Sequence, residues 1–246
     1  MGEAATSYEY NTRLPTLDHL NAQRPSKFDV REIVSNWVSS FTKAISSGKA
    51  DNVTSLFVED ALWRDMLAFT WDIRTFHKLP NIKKFLTDRL TETQPQNIRL
   101  SDDKDKQPSV LDAPGLFWVQ AFLDFETAVG VCSAVFRLVP TANGEFKCHT
   151  MFTNLESLKG HPFRIGPLRS WESSHGEWLS QRAKELSFED GDPKVLIIGG
   201  GHGGLDVAAR LKYLGVKSLI LEKNPRIGDN WRNRYQALCL HDPVCE

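Results

Sequence analysis

The chain has 246 residues, 41% of them hydrophobic and 25% charged, and a formal net charge of −1. That length accommodates one or two domains with a sizeable core. The near-neutral charge excludes a global field that would gather nucleic acid or an anionic membrane, and no apolar run approaches the roughly 18 residues a membrane-spanning helix needs.

The four cysteines, Cys132, Cys148, Cys239 and Cys245, form neither a CxxC pair nor a zinc spacing. The N-terminal "MGEAATSYEY" has no apolar core for a secretion signal, so reduced thiols in the cytoplasm are the expectation.

Residues 1–25 are polar, carry Pro15 and Pro25, and read as an extended arm. A helix follows, with Ile33, Val34, Trp37, Val38, Phe41, Ala44 and Ile45 at i, i+3, i+4 spacing. Ser26 or Asp29 can cap its start and Gly48 can end it. "DNVTSLFVED" reads as a second short helix. "LPNIKKFLTDRL" reads as a third, with Ile82, Phe85, Leu86 and Leu90 on one side.

Strand signals lie in "ALWRDMLAF", "GLFWVQAFLDFET", "AVGVCSAVFRLVP" and "EFKCHTMFTNL". The last two are joined by "TANG", whose Asn143–Gly144 is a turn signal. Residues 26–158 are therefore expected as an α+β domain in which helices cover one face of a curved antiparallel sheet. Residues 159–192, rich in glycine and proline, read as a linker with one short amphipathic helix in "EWLSQRAKEL".

At residue 193 the pattern becomes βαβ. Lys194–Ile198 is a continuous apolar run, expected as a strand buried on both faces. It enters "GGGHGG", in which Gly199, Gly201 and Gly204 keep G-x-G-x-x-G spacing, with Gly200, His202 and Gly203 between them. The first glycine permits the strand-to-helix turn, the second lets a pyrophosphate approach the backbone, and the third lets helix and strand pack closely. The helix start offers free N–H groups and partial positive charge to phosphates. A second strand, "KSLILEK", ends in Glu222 and Lys223. Glu222 lies 18 residues beyond Gly204, where a carboxylate can accept from ribose hydroxyls. An acid there disfavours a 2′-phosphate, so NADP is not expected at this turn, and FAD and NAD remain.

The next residues narrow that choice. "NPRIGDNWRNRYQALCLHDP" sets Gly228 and Trp231 just after the second strand. This resembles the GG-x-W segment that follows the FAD fingerprint in flavin-containing monooxygenases and related Baeyer–Villiger enzymes. "LILEKNPRIGDNWRNRY" and "LHDPV", with "WRDMLAFTWDIRTF" and "FETAVGVCSAVFRLVPT", resemble a fungal branch of that family. In that branch a cone-shaped SnoaL-like (nuclear-transport-factor-like) domain precedes the flavin domains.

The resemblance implies FAD as cofactor, with Gly199, Gly201 and Gly204 on its pyrophosphate and Glu222 on its adenosine ribose. Trp231 would pack near the cofactor, and His241 and Asp242 would lie on the segment toward the flavin ring. It also implies NADPH as co-substrate and dioxygen-dependent oxygenation of a small organic substrate of secondary metabolism. A second glycine fingerprint for NADPH is absent from the 246 residues. A chain truncated after the start of its FAD domain, 193–246, is the expectation.

The cone domain offers a second function, as a small-molecule binding, isomerase or homodimerisation module. Its candidate polar groups are Asp65, Asp72, His77 and His149. Trp63, Trp71, Phe117, Trp118 and Phe122 are candidate lining residues. Arg64 and Arg74 stand beside the two aspartates as ion-pair partners, and the aromatics also fit a plain hydrophobic core.

Overall fold

A computed structural model describes residues 13–169, 171, 173, 175–189, 191–234, 236 and 237. The chain divides into two compact units, Met1–Lys159 and Gly160–Glu246.

In the first unit, helix α1 (Val30–Ser46) starts where its sequence allows. The Asp29 carboxylate accepts from the amides of Arg31 at 2.8 Å and Glu32 at 3.1 Å, which satisfies two of the four donors a helix start leaves open. Gly48, at φ +66°, turns the chain away after the last turn. Helix α1 buries Val34, Trp37, Val38, Phe41, Ala44 and Ile45, at roughly 1.5–3 kcal/mol for each large side chain removed from water.

Helix α2 (Ala50–Thr54) is shorter than its sequence suggested. Strand β1 (Phe57–Met66) takes over, because Phe57 pairs with Cys148 in the sheet and is buried there. Cross-strand pairing outweighs local helix preference at this point. After β2 (Ile73–His77), helix α3 (Lys78–Thr93) buries Ile82, Phe85, Leu86 and Leu90, the side expected of it.

Two further short strands, β3 (Gln96–Leu100) and β4 (Ser109–Ala113), lead to three long ones: β5 (Leu116–Glu126), β6 (Gly130–Pro140) and β7 (Phe146–Leu158). The sheet order is β2-β1-β7-β6-β5-β3, with β4 also on β5. Every pairing is antiparallel except β1 with β7, which is parallel. The sheet is thus mixed, not purely antiparallel. The loops and helices that lie between β1 and β7 in sequence provide the long connection a parallel pair requires.

Register shifts between Phe57 and Leu62, Gln96 and Arg99, Val131 and Cys132, and Arg137 and Leu138 bend the strands. Helix α1 contacts β3, β5 and β7 on one sheet face, and α3 contacts β1 and β2. The N-terminal arm from residue 13 lies on this unit. Thr16 bridges Leu116, the Leu17 amide donates to the Gly115 carbonyl at 2.9 Å, and Leu17 and Leu20 pack on the core. His19 meets Asp60 at 2.8 Å, and Arg24 pairs with Asp112.

In the second unit, β8 (Val195–Ile198) and β9 (Ser218–Leu221) pair in parallel, with α5 (His202–Tyr213) as the crossover. Part of the expected linker attaches here, since the Arg164 amide donates to the Tyr213 carbonyl at 2.9 Å. Helix α4 (Trp178–Ser187) forms where expected, and α6 (Asp229–Arg232) follows β9. Strand β8 is not buried on both faces. Ile197 is buried, but Leu196 is 55% and Ile198 86% exposed, because among the described residues one helix covers one face of a two-stranded sheet.

Candidate functional site

The glycine turn is built by its own close contacts. Gly199 sits at φ +104°, a backbone conformation that side chains resist. A β-carbon on Gly204 would fall 2.0 Å from the Gly199 carbonyl oxygen and 3.4 Å from Ile197 Cγ2. Only glycine permits the first turn of α5 to lie so near the end of β8. Gly201 differs: among the described residues, a β-carbon there would meet only Asn230 Nδ2 beyond the adjoining turn, at 3.5 Å. Among the described residues Gly203 faces open space, and His202 is exposed, with its ring 3.6 Å from Asp206.

The helix begins at His202, and its first closing bond runs from the Leu205 amide to the Gly201 carbonyl at 3.0 Å. The amides of residues 202–204 therefore precede the helical bonding pattern, where anions are stabilised.

Glu222 lies across this turn. Its Oε2 accepts from the Gly200 amide at 2.6 Å, and its Oε1 accepts from the Asn224 amide at 2.9 Å and from Asn224 Nδ2 at 2.7 Å. The amides of Asn224 and Gly200 hold the carboxyl below the usual carboxylate range. Lys223 is exposed beside it, and its charge adds a smaller effect of the same sign. A β-carbon on Gly200 would lie 3.2 Å from Glu222 Oε2, so glycine lets the carboxylate approach the loop.

Beyond β9, Gly228 at φ +88° opens α6. Asp229 is buried and accepts from the Arg226 amide at 3.2 Å and Arg232 Nη1 at 2.9 Å. This closed turn sets Trp231 at the surface, 39% exposed, and Asn230 toward the glycine loop. His241 and Asp242 lie outside the described residues, as do Cys239 and Cys245.

Sequence reasoning passed over Asn224, Asn230 and Asp229. Asn224 was legible as an asparagine two residues past an acidic strand end, a spacing that allows local bonding. Asn230 acquires its place only through the fold of the turn.

The candidate groups of the first unit do not converge. Asp65 is fully buried and accepts from the amides of Phe69 (3.1 Å) and Thr70 (2.9 Å) and from Thr153 Oγ1 (2.7 Å). Trp63 Nε1 donates to the same Thr153 hydroxyl at 3.0 Å. Arg64 is not the partner of Asp65. Successive strand residues face opposite ways, and Arg64 Nη1 donates to Thr75 Oγ1 at 2.8 Å.

Asp72 is exposed and paired with Arg74 at 2.6 Å. His77, half-buried, precedes α3, and burial lowers its pKa. His149 is buried, with Nδ1 2.9 Å from Thr150 Oγ1, and burial is the largest cause lowering its pKa. It lies four residues along β7 from Thr153, the partner of Asp65, which is about 13 Å at strand rise. His149 and Asp65 have different hydrogen-bond partners.

The expected lining residues are split as well. Trp63 and Phe117 are fully buried core, Trp71 is 67% exposed, Trp118 is half-buried and packs against the core, and Phe122 is half-buried. Trp37 stacks on Phe136 at 4.6 Å, Trp63 on Phe57 at 5.5 Å, and Phe76 on Phe85 at 4.1 Å. The void bounded by Phe41, Trp63, Phe69, Phe125 and Met151 is about 10 Å³, at the lower limit for one water. Its apolar walls give a water no partners. Cys132 and Cys148 are buried free thiols. Burial pushes Cys132 up to about 12 and raises Cys148 too, so both are held as inert thiols. Among the described residues, no group of three acidic, histidine or cysteine side chains is placed to hold a metal ion. No described helix is long and apolar enough to cross a membrane.

Known proteins are similar to parts of the chain. Residues 197–242 match the family model described as an NAD(P)-binding Rossmann-like domain. The chain is 39% identical over 46 residues to an uncharacterized oxidoreductase CzcO of Bacillus velezensis, a stretch covering 19% of this chain and 13% of that protein. It is 45% identical over 49 residues to an uncharacterized CzcO-like oxidoreductase of Geobacillus kaustophilus, covering 20% and 14%. The match thus spans about a seventh of these relatives' length.

Among solved structures, ActVI-ORFA of Streptomyces coelicolor is similar with TM-score 0.39 at 14% identity, covering 52% of this chain and 97% of that one. An ntf2-like protein of unknown function from Shewanella baltica gives 0.40 at 8% identity, covering 54% and 99%. At these values neither structure bears on function. The family-model match, residues 197–242, runs through the glycine turn.

Proposed function

We propose that the C-terminal unit forms the phosphate-and-ribose end of an FAD site in an oxidoreductase of the flavin-containing monooxygenase kind. The whole reaction in this reading oxygenates a small organic substrate with NADPH and dioxygen. The observation that carries it is the glycine turn: Gly204 is excluded from bearing a side chain by the Gly199 carbonyl, while among the described residues only Asn230 Nδ2 approaches the side-chain position of Gly201 beyond the adjoining turn.

The residues present fit such a cofactor. The first amides of α5 face where a pyrophosphate would lie, and Glu222 offers an ionised acceptor for the adenosine ribose. Bound flavin would supply two-electron redox chemistry. This chain's own groups would bind and orient its nucleotide end, with Asn230 beside the turn and Trp231 packed near the cofactor.

The full chain, titrated with FAD and followed by flavin fluorescence, is expected to bind. Gly201→Val is expected to weaken binding by more than about tenfold, by filling the space a phosphate needs. Because among the described residues a β-carbon at that position meets only Asn230 Nδ2 beyond the adjoining turn, the variant should keep its fold. Retention of FAD by Gly201→Val would remove the site.

For the first unit, the void of only about 10 Å³ among its described core residues supports a partner-binding role over a ligand pocket. The sheet face away from the helices carries Phe122, Val135 and Phe152 in cross-strand register, all half-buried. A second copy of the chain is the proposed partner, and sedimentation of the full chain as a monomer at micromolar concentration would end that reading.

A further inference from the structure

The Glu222 carboxylate already has three donors. We infer that Asn224 is a positioning residue: by holding Oε1 it fixes the Glu222 carboxylate so that the acceptor site left on Oε2, beside the Gly200 amide, serves a ribose hydroxyl. The inference rests on the nucleotide-site reading and adds to it the residue that orients the ribose acceptor.

The geometry supports it on three sides. Oε1 is held twice by Asn224, through the amide at 2.9 Å and Nδ2 at 2.7 Å. Oε2 is held by the Gly200 amide at 2.6 Å, and the missing side chain at Gly200 is what admits it. Each carboxylate oxygen can accept at two sites, so the two Asn224 donors fill Oε1 and the Gly200 amide leaves one site open on Oε2. Glu222 is only half-buried, so that site is reachable.

A glutamate has three rotatable bonds and would otherwise lose their freedom on binding ligand. Fixing it beforehand removes that cost. The same donors favour the ionised form, which is the acceptor a diol needs.

The test uses the full chain with ADP and 2′-deoxy-ADP as probes, measured by calorimetry. The ratio of their dissociation constants reads the diol contact alone. In the unaltered protein the ratio should be about tenfold or more, as for a hydrogen bond to a charged acceptor. In Asn224→Ala it should fall to about two- to threefold, as the acceptor becomes mobile. Glu222→Gln should bring it near unity.

The pH profile gives a second reading. The depressed pKa of Glu222 means the ionised acceptor persists as pH falls, until the folded value is crossed. In Asn224→Ala the preference for ADP should therefore disappear at a higher pH. A purely structural role for Asn224 predicts that both ligands weaken equally with the ratio unchanged, and that result overturns the inference while leaving the nucleotide site intact. Failure of the unaltered protein to bind ADP overturns the site and the inference together.

Discussion

The two units put similar residue types to opposite uses. In Met1–Lys159, large apolar side chains close on one another, and the buried polar groups are satisfied from within. Asp65 has Phe69, Thr70 and Thr153, and Trp63 has Thr153. In Gly160–Glu246, Leu196, Ile198, Val207 and Leu221 are about half exposed or more, while the glycine turn leaves amides and space facing outward. A candidate site in this protein is thus marked by what is left open, not by how many ionisable groups a segment contains. The four acidic and histidine candidates of the first unit are spent on its own structure or kept apart. Those of the glycine turn are held in place but keep unused acceptor and donor capacity.

The largest expected effect tests the closed interior. Trp63→Ala removes a fully buried ring in contact with Phe57, Phe69 and Phe85, and should cost about 3–5 kcal/mol in denaturant unfolding of the full chain. A loss below about 1 kcal/mol would mean that this interior tolerates space, and would revive a ligand pocket.

The second effect tests the open turn. Gly204→Ala should weaken FAD by more than about tenfold, because its methyl group collides with the Gly199 carbonyl. The unfolding midpoint set by the first unit should move by less than the equivalent of about 0.5 kcal/mol. Equal loss of both would erase the contrast between the units.

The smallest effect is in pH. His149 is buried, and its pKa is lowered, chiefly by burial. The unfolded chain therefore binds a proton that the folded chain resists. The resulting stability is present above the unfolded value of about 6.5 and is lost as pH falls below it. Denaturation between pH 7.5 and 5.5 should show a decline that is shallower in His149→Gln. The histidine's share is at most about 1.4 kcal/mol per pH unit. An identical slope in the variant would show that other groups carry the dependence.

Periodicity revealed what lies along one element. The Ile33–Ile45 stripe of α1, the Ile82–Leu90 stripe of α3 and the three long strands were legible because burial on one face repeats at 3.6 or 2 residues. Strands β2, β3 and β4 were not, since each is five residues long and is defined by its partner. Phe57 and Val58 read as helix until β7 claimed them. The glycine spacing with Glu222 was legible because a phosphate-binding turn demands glycine at fixed positions. The anchoring of Glu222 by Gly200 and Asn224 was only half legible, since the Gly200 contact spans 22 residues of chain.

Sequence by itself thus determined the α+β character of the first unit, the βαβ order of the second and the positions where a side chain is forbidden. These are consequences of local sterics and of one-dimensional patterning. Only the tertiary structure decided that Asp65 is a buried anchor, that Trp63 and Phe117 fill the interior, and that Trp118 packs against it half-buried. It also brought Asn230 to the glycine loop. Those outcomes depend on which residues meet across strands and turns, and such meetings are fixed by packing and hydrogen-bond satisfaction over distances that no window of sequence contains.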